Sequence, residues 1–358
     1  MKATIEQLLD TIVHPETGEG LLSGGIADRI EASGDRIAVT LRFRRARDPF
    51  SLSLKKQVQE ALQARFPELS GAISVTVVEG ERPRGNAPQQ PSEKRSSTAD
   101  IGRIVAVSSG KGGVGKSTVT ANLALALRDM GYRVGILDAD IYGPSQPKMF
   151  GVEGYVPTAE PDETGALERI VPAVSQGIEV MSIGFFVAPD AALMWRGPMA
   201  HNALRQMIHQ TAWGPLDFLL IDMPPGTGDI HLSLLSELTL CGAIIVSTPQ
   251  QVAVADVVRG VELFRHPQVQ VPVTGIIENM AWFTPEELPD HRYYLFGRGG
   301  AERYATENGL PFLGPVPLIQ SVMEGSEAGC PAVVHDARAA SWYRQIAERV
   351  VDNLAGKC

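Results

Sequence analysis

Between Gly110 and Thr118 the chain reads G-K-G-G-V-G-K-S-T. Glycines let successive backbone N–H groups converge on one point where any Cβ would obstruct the approach, and such a concavity binds phosphate. The spacing of Gly110, Gly115, Lys116 and Ser117 satisfies G-x-x-x-x-G-K-[ST]. On that pattern Gly110, Lys111, Gly112, Gly113, Val114, Gly115, Lys116, Ser117 and Thr118 form the cradle. Lys116 reaches the β- and γ-phosphates, and the Ser117 hydroxyl joins a Mg2+ shell. A second lysine, Lys111, stands at a loop position where an ordinary phosphate loop tolerates almost any residue.

Two acidic segments suit the same chemistry. Asp222 ends the apolar run Phe218–Ile221 and is followed by M-P-P-G-T-G-D. A carboxylate closing a buried strand beside a P-loop orders Mg2+, and the glycine-rich stretch after it would sense a γ-phosphate. A plain helix cap is the simpler role for the same position. Asp138-Ala139-Asp140 follows another apolar run. Alternate residues of an extended segment point the same way, so both carboxylates can face the phosphates. Asp140 is the candidate for positioning the attacking water. The alternative is a solvated acidic turn.

The elements that must hold these residues are legible as short apolar runs at Arg103–Val107, Arg133–Leu137, Ile178–Met181, Phe218–Ile221, Ala243–Val246 and Val273–Ile277. Continuous apolar runs mark strands covered on both faces, which predicts an α/β fold with a doubly wound, mostly parallel sheet. Ligands bind beyond the C-terminal ends of such strands. Gly110–Thr118, Asp138 with Asp140, Asp222, Thr248-Pro249-Gln250 and Glu278-Asn279 all fall there. Residues 81–100, rich in Pro, Gln, Ser and charge, read as a linker. Before it, residues 1–80 carry a helix, a hairpin, a second helix and a strand, a small α+β domain; residues 101–358 form the P-loop domain.

The chain has 358 residues, 44% hydrophobic and 20% charged, as in a soluble globular protein. A net charge of −9 argues against nonspecific nucleic-acid binding. No apolar run is long enough to span a membrane, and Met1-Lys2-Ala3-Thr4 opens no signal core. Three widely separated cysteines, Cys241, Cys330 and Cys358, suit a reducing cytoplasm and no disulfide framework.

With Lys111 before two glycines, the loop resembles the deviant Walker A motif of the SIMIBI class, which includes Min-type and Par-type ATPases, the nitrogenase iron protein and Mrp-type proteins. D-A-D-I-Y-G-P-S (138–145), M-W-R-G-P-M (194–199), L-L-I-D-M-P-P-G-T-G-D (219–229), S-T-P-Q (247–250) and I-E-N-M-A (277–281) narrow the resemblance to the Mrp/ApbC-type iron–sulfur cluster carriers. It covers residues 101 to about 345, and the first 80 residues resemble the small iron–sulfur-assembly domain of many such proteins. The resemblance implies an ATPase acting as a homodimer, with ATP and Mg2+ as cofactors and an iron–sulfur cluster delivered to apoproteins or received from assembly scaffolds. It implies Lys111 reaching the partner's ATP, Asp140 positioning water and Asn279 contacting adenine, though Asn279 also suits a strand-end turn.

The pattern breaks at the cysteines: the one such proteins commonly carry before the second helix of the N-terminal domain is missing from Phe43–Ser53. Mrp-type carriers place C-x-x-C after the I-E-N-M segment, where thiolates hold iron. Here Ala281–Gly297 contains no cysteine. Cys241 begins an apolar strand and reads as a small buried side chain. Cys330, in E-A-G-C-P, is the remaining ligand candidate, and His291 lies among acidic residues in the cysteine-free segment. Two further readings therefore stand beside the carrier: an ATP-switched scaffold that binds no cluster, and a Min-type membrane organiser using the stripe Trp342, Ile346, Val350 and Leu354.

Overall fold

The computed structural model describes residues 2–14, 20–32, 37–43, 50–79, 98, 100–161, 168–186, 197–285 and 287–356. Most of the linker read at 81–100, residues 194–196 of the M-W-R-G-P-M run, and Cys358 lie outside them. The chain forms two compact units, Met1–Glu93 and Lys94–Cys358.

In the first unit, helix α1 (Lys2–Asp10) precedes an antiparallel pair, β1 (Ala27–Ala32) and β2 (Ile37–Phe43). Helix α2 (Ser51–Arg65) then leads to β3 (Ile73–Glu79), parallel to β2, giving the order β1-β2-β3. Strand β2 alternates buried and half-buried residues, as a sheet with one covered face must. Ile37, Val39, Leu41 and Phe43 pack with Ile5 and Leu9 of α1 and Leu54, Val58 and Leu62 of α2.

The second unit opens with β4 (Arg103–Ser108), α3 (Lys116–Asp129), β5 (Val134–Asp138) and the short helix α4 (Gln146–Met149). A small hairpin of β6 (Ala159–Pro161) and β7 (Glu168–Ile170) follows, then β8 (Ala173–Ser175) and β9 (Ile178–Ser182). The remainder alternates: α5 (Gly197–Gln210), β10 (Phe218–Asp222), α6 (Asp229–Glu237), β11 (Gly242–Ser247), α7 (Gln251–Arg265), β12 (Val273–Glu278), α8 (Gly300–Glu307), β13 (Phe312–Pro315), α9 (Gln320–Glu327) and α10 (Ala337–Leu354). Eight strands form one sheet in the order β13-β12-β11-β4-β10-β5-β9-β8, parallel throughout except for the edge strand β8.

Period-two alternation sends neighbouring residues of each strand into different layers. Ile104, Ala106, Leu219, Ile221 and Ile245 face a layer with Leu204 and Met207 of α5, Leu234 of α6, and Val257, Val261 and Phe264 of α7. Val105, Val107, Phe218, Leu220, Ile244 and Val246 face Leu123 and Leu127 of α3 and Tyr343, Ile346, Val350 and Leu354 of α10. The expected doubly wound sheet is therefore present, with helices on both faces. The stripe along α10 is occupied by this packing, and Trp342 stacks edge-on against Trp282 at 5.5 Å between centroids. Each such buried aliphatic side chain contributes about 1.5–3 kcal/mol, so the stripe is core, not a spare face for lipid. No described helix is long and apolar enough to cross a membrane.

Candidate nucleotide-binding site

Strand β4 ends at Ser108, α3 begins at Lys116, and the loop between them is the glycine-rich cradle. Gly113 and Gly115 both adopt φ +79°, a conformation that a side chain disfavours. Gly115 also has no room for one: a Cβ there would lie 2.3 Å from Asn279 Nδ2. At Gly110 a Cβ would come within 2.2 Å of the Asp256 carbonyl oxygen, so α7 abuts the start of the loop. Val114 is buried beneath the cradle, while Gly112 and Gly113 are exposed at its rim. The first N–H groups of α3 add partial positive charge at the floor. Thr118 is half-buried, and its carbonyl accepts from Asn122 Nδ2 at 2.9 Å.

The charges converge below the loop. Lys116 is only 6% exposed, and its Nζ pairs with Asp222 Oδ1 while lying 3.2 Å from Ser117 Oγ and 3.9 Å from Asp140 Oδ2. Asp138 and Asp222 are direct neighbours in the parallel register of β5 and β10. Asp138 accepts from the Gln146 N–H at 3.1 Å and Ser182 Oγ at 3.0 Å. Burial, reinforced by the Asp222 charge and opposed by Lys116, pushes the Asp138 carboxyl up to about 7. Burial also raises Asp140, against the pull of Lys116. One ammonium faces three carboxylates in a nearly dry site, and the buried Asp140 Oδ1 has no hydrogen-bond partner.

This arrangement fits a divalent cation of the Mg2+ type: the donors are hard oxygens, and negative charge is in excess. Among the described residues no group of three or more His, Cys, Asp and Glu could hold a metal by itself. Mg2+ takes one or two protein ligands and completes its shell with phosphate and water.

The glycine-rich stretch after β10 is tied to the P-loop and to α6. Gly226 donates its N–H to the Ser109 carbonyl at 3.2 Å, and His231 Nε2 contacts the Pro224 carbonyl at 2.8 Å. Because Pro224 offers only an acceptor, Nε2 carries the proton and Nδ1 is a buried acceptor without a partner. Burial holds His231 below the ordinary histidine range.

Asn279, at the end of β12, is buried, with its N–H on the Ser247 carbonyl and its Nδ2 on the Val114 carbonyl at 2.9 Å. Met280 follows at φ +56°, so the chain turns sharply just past the site. The neighbouring Glu278 accepts from Gly299 N at 3.2 Å and Ala301 N at 2.8 Å, and so caps α8 instead of facing the cradle.

Lys111 stands apart. It is half-buried at the loop mouth and pairs with no carboxylate among the described residues. Cys330 is a partly exposed free thiol with its Sγ 3.9 Å from His335 Nδ1. Cys241 differs from the sequence expectation of a small buried side chain: it is partly exposed and disulfide-bonded. His291 is exposed. Gln146, Ser182 and His231 also belong to the site, although no sequence motif singles them out. Only the position of Gln146, directly after the D-A-D-I-Y-G-P-S run, could flag it.

Comparison with known proteins agrees with this geometry. The family model of the NUBPL iron-transfer P-loop NTPases matches residues 100–351, and a model for iron–sulfur cluster assembly proteins matches residues 2–75. An iron–sulfur cluster carrier protein of Synechocystis is 39% identical over 351 residues, 98% of this chain and 96% of that one. The carrier protein of Escherichia coli K12 is 46% identical over 256 residues, 71% of this chain and 67% of its own. Among solved structures, a nucleotide-binding protein of Archaeoglobus fulgidus in complex with ADP is 39% identical, with a TM-score of 0.56 over 65% of this chain and 88% of that one. The septum site-determining protein MinD of Pyrococcus horikoshii with Mg-ADP is 25% identical, with a TM-score of 0.53 over 72% and 98%. The chain belongs to the NUBPL iron-transfer P-loop NTPase family.

Proposed function

We propose that this protein is an ATP-hydrolysing iron–sulfur cluster carrier that works as a homodimer in the cytoplasm and delivers clusters to apoproteins. The observation that carries the reading is similarity to a named cluster carrier along 98% of the chain. The cradle and its charge cluster support the nucleotide half. Lys116 binds the β- and γ-phosphates, exchanging carboxylate partners for phosphate oxygens. Ser117 and Asp222 hold Mg2+, which neutralises phosphate charge when bound. Asp140, beside Lys116 and carrying an unpartnered oxygen, orients the attacking water. Lys111, at the loop mouth and clear of the carboxylates below, is free to reach ATP in a second copy. Residues 1–80 serve as the assembly-type domain, 81–100 as a linker and 101–358 as the ATPase.

A second reading, a nucleotide-switched scaffold that recruits cluster donors and acceptors without binding the cluster, is favoured by the cysteine inventory. Ala281–Gly297 has no thiol, and Cys330 is the free cysteine among the described residues. Anaerobic reconstitution with iron and sulfide decides between them. The carrier reading expects stoichiometric iron and acid-labile sulfide that is lost in Cys330→Ser. Protein that takes up neither, yet captures partners differently with and without ATP, is the scaffold.

A further inference from the structure

Gln146 is completely buried at the start of α4, and its side chain connects two parts of the site that are far apart in sequence. Its Nε2 donates to the Ser117 carbonyl at 3.0 Å and to Asp222 Oδ2 at 2.8 Å. Both partners are pure acceptors, so the amide has one possible orientation: the NH2 group faces them and Oε1 points away. That Oε1 is buried without a partner. An orphaned acceptor is costly in a core, and an apolar side chain of similar volume would avoid the cost. Its backbone N–H meanwhile donates to Asp138 Oδ2. One residue thus joins the P-loop helix, the end of β10 and the end of β5.

We propose that Gln146 is a positioning residue for the divalent cation. The inference rests on the assignment of Ser117 and Asp222 to Mg2+. The two hydrogens of one amide fix the distance between the Ser117 backbone and the Asp222 carboxylate. One of them holds Oδ2 in place, so the metal's shell draws on Oδ1, which Lys116 and Thr120 now face, once Lys116 turns to phosphate. Gln146 also closes the loop that carries Asp140, so the metal site and the water-orienting residue move as one unit.

The test is binding, read without turnover. The affinity of full-length protein for a fluorescent ADP analogue is titrated in EDTA and then across Mg2+ concentrations. Gln146→Met, similar in volume and lacking donors, should keep its EDTA affinity within about twofold of wild type, while its Mg2+ midpoint rises about tenfold or more. Lys148→Ala removes an exposed ion pair with Glu327 from the same helix α4 without touching Asp222, and should leave the midpoint unchanged. If Gln146→Met does not fold, Gln146→Asn carries the test, since its shorter arm cannot reach both acceptors; its midpoint should also rise. A folded Gln146 variant with the wild-type midpoint overturns the proposal. So does a Lys148→Ala shift of equal size, which would make the effect a general loosening of α4. A wild type whose affinity ignores Mg2+ removes the metal assignment and this inference together.

Discussion

Asn279 Nδ2 and the Val114 carbonyl oxygen lie 2.9 Å apart, joining the end of β12 to the underside of the P-loop across 165 positions of sequence. Gly115 has no space for a Cβ because that amide fills it. The loop shape is thus set partly by a strand from across the sheet, β4 being separated from β12 by β11. Removing the amide in Asn279→Ala leaves a buried carbonyl unpaired, at about 1–3 kcal/mol. Nucleotide affinity should fall about tenfold, measured by titration with a fluorescent ATP analogue. Unchanged affinity would mean that the loop holds its shape without the brace.

The two lysines of the cradle should separate cleanly. Lys116→Ala removes the cation beneath the phosphates and should abolish nucleotide binding. Lys111→Ala should bind ATP nearly as wild type but lose hydrolysis that rises with protein concentration. Specific activity measured over a dilution series checks this; normal, concentration-dependent turnover in Lys111→Ala would remove the trans role.

Asp140→Asn should bind ATP and hydrolyse it about 10²-fold or more slowly, the usual size of a lost acid–base group. Single-turnover hydrolysis at saturating ATP is the measurement. Wild-type turnover would move the water-orienting role elsewhere in the cluster.

Away from the site, Arg133 clasps Asp217 through Nη2 to Oδ1 at 2.9 Å and Nε to Oδ2 at 3.1 Å. These bonds, with the Arg133 backbone N–H, hold the Asp217 carboxyl down at about 2. A depressed acid adds stability that is complete above its ordinary value near 3.8 and disappears as pH falls through about 2. Arg133 is exposed and Asp217 half-buried at the surface, so solvent screening keeps the effect small. Asp217→Asn should lower Tm by roughly 1–2 °C at pH 7, and the difference should shrink as pH falls toward about 2. An equal loss at both pH values would show that charge is not the cause.

Strands are readable where burial on both faces makes the sequence continuously apolar, as in Phe218–Ile221 and Ala243–Val246. Edge elements are not: β6, β7 and β8 have three residues each, and β13 four, too few to show a period. Lys116, Asp222 and Asp140 are legible because strand ends beside a glycine loop announce their chemistry, and the structure brings all three together. Gln146 is not, because its meaning lies in a contact with Asp222, 76 positions away. An uncharged residue opening a four-residue helix carries no local mark of such a bond. Ser182, held to Asp138 from 44 positions away, is hidden for the same reason.

ATP chemistry in this cradle, on the function proposed above, drives the movement of a cluster. The direct measurement is the rate of cluster transfer to an apo iron–sulfur acceptor under anaerobic conditions, with and without Mg-ATP, for wild type and Lys116→Ala. Nucleotide should change the wild-type rate severalfold and leave Lys116→Ala unmoved. Identical rates in all four conditions would contradict the coupling of ATP to the cluster.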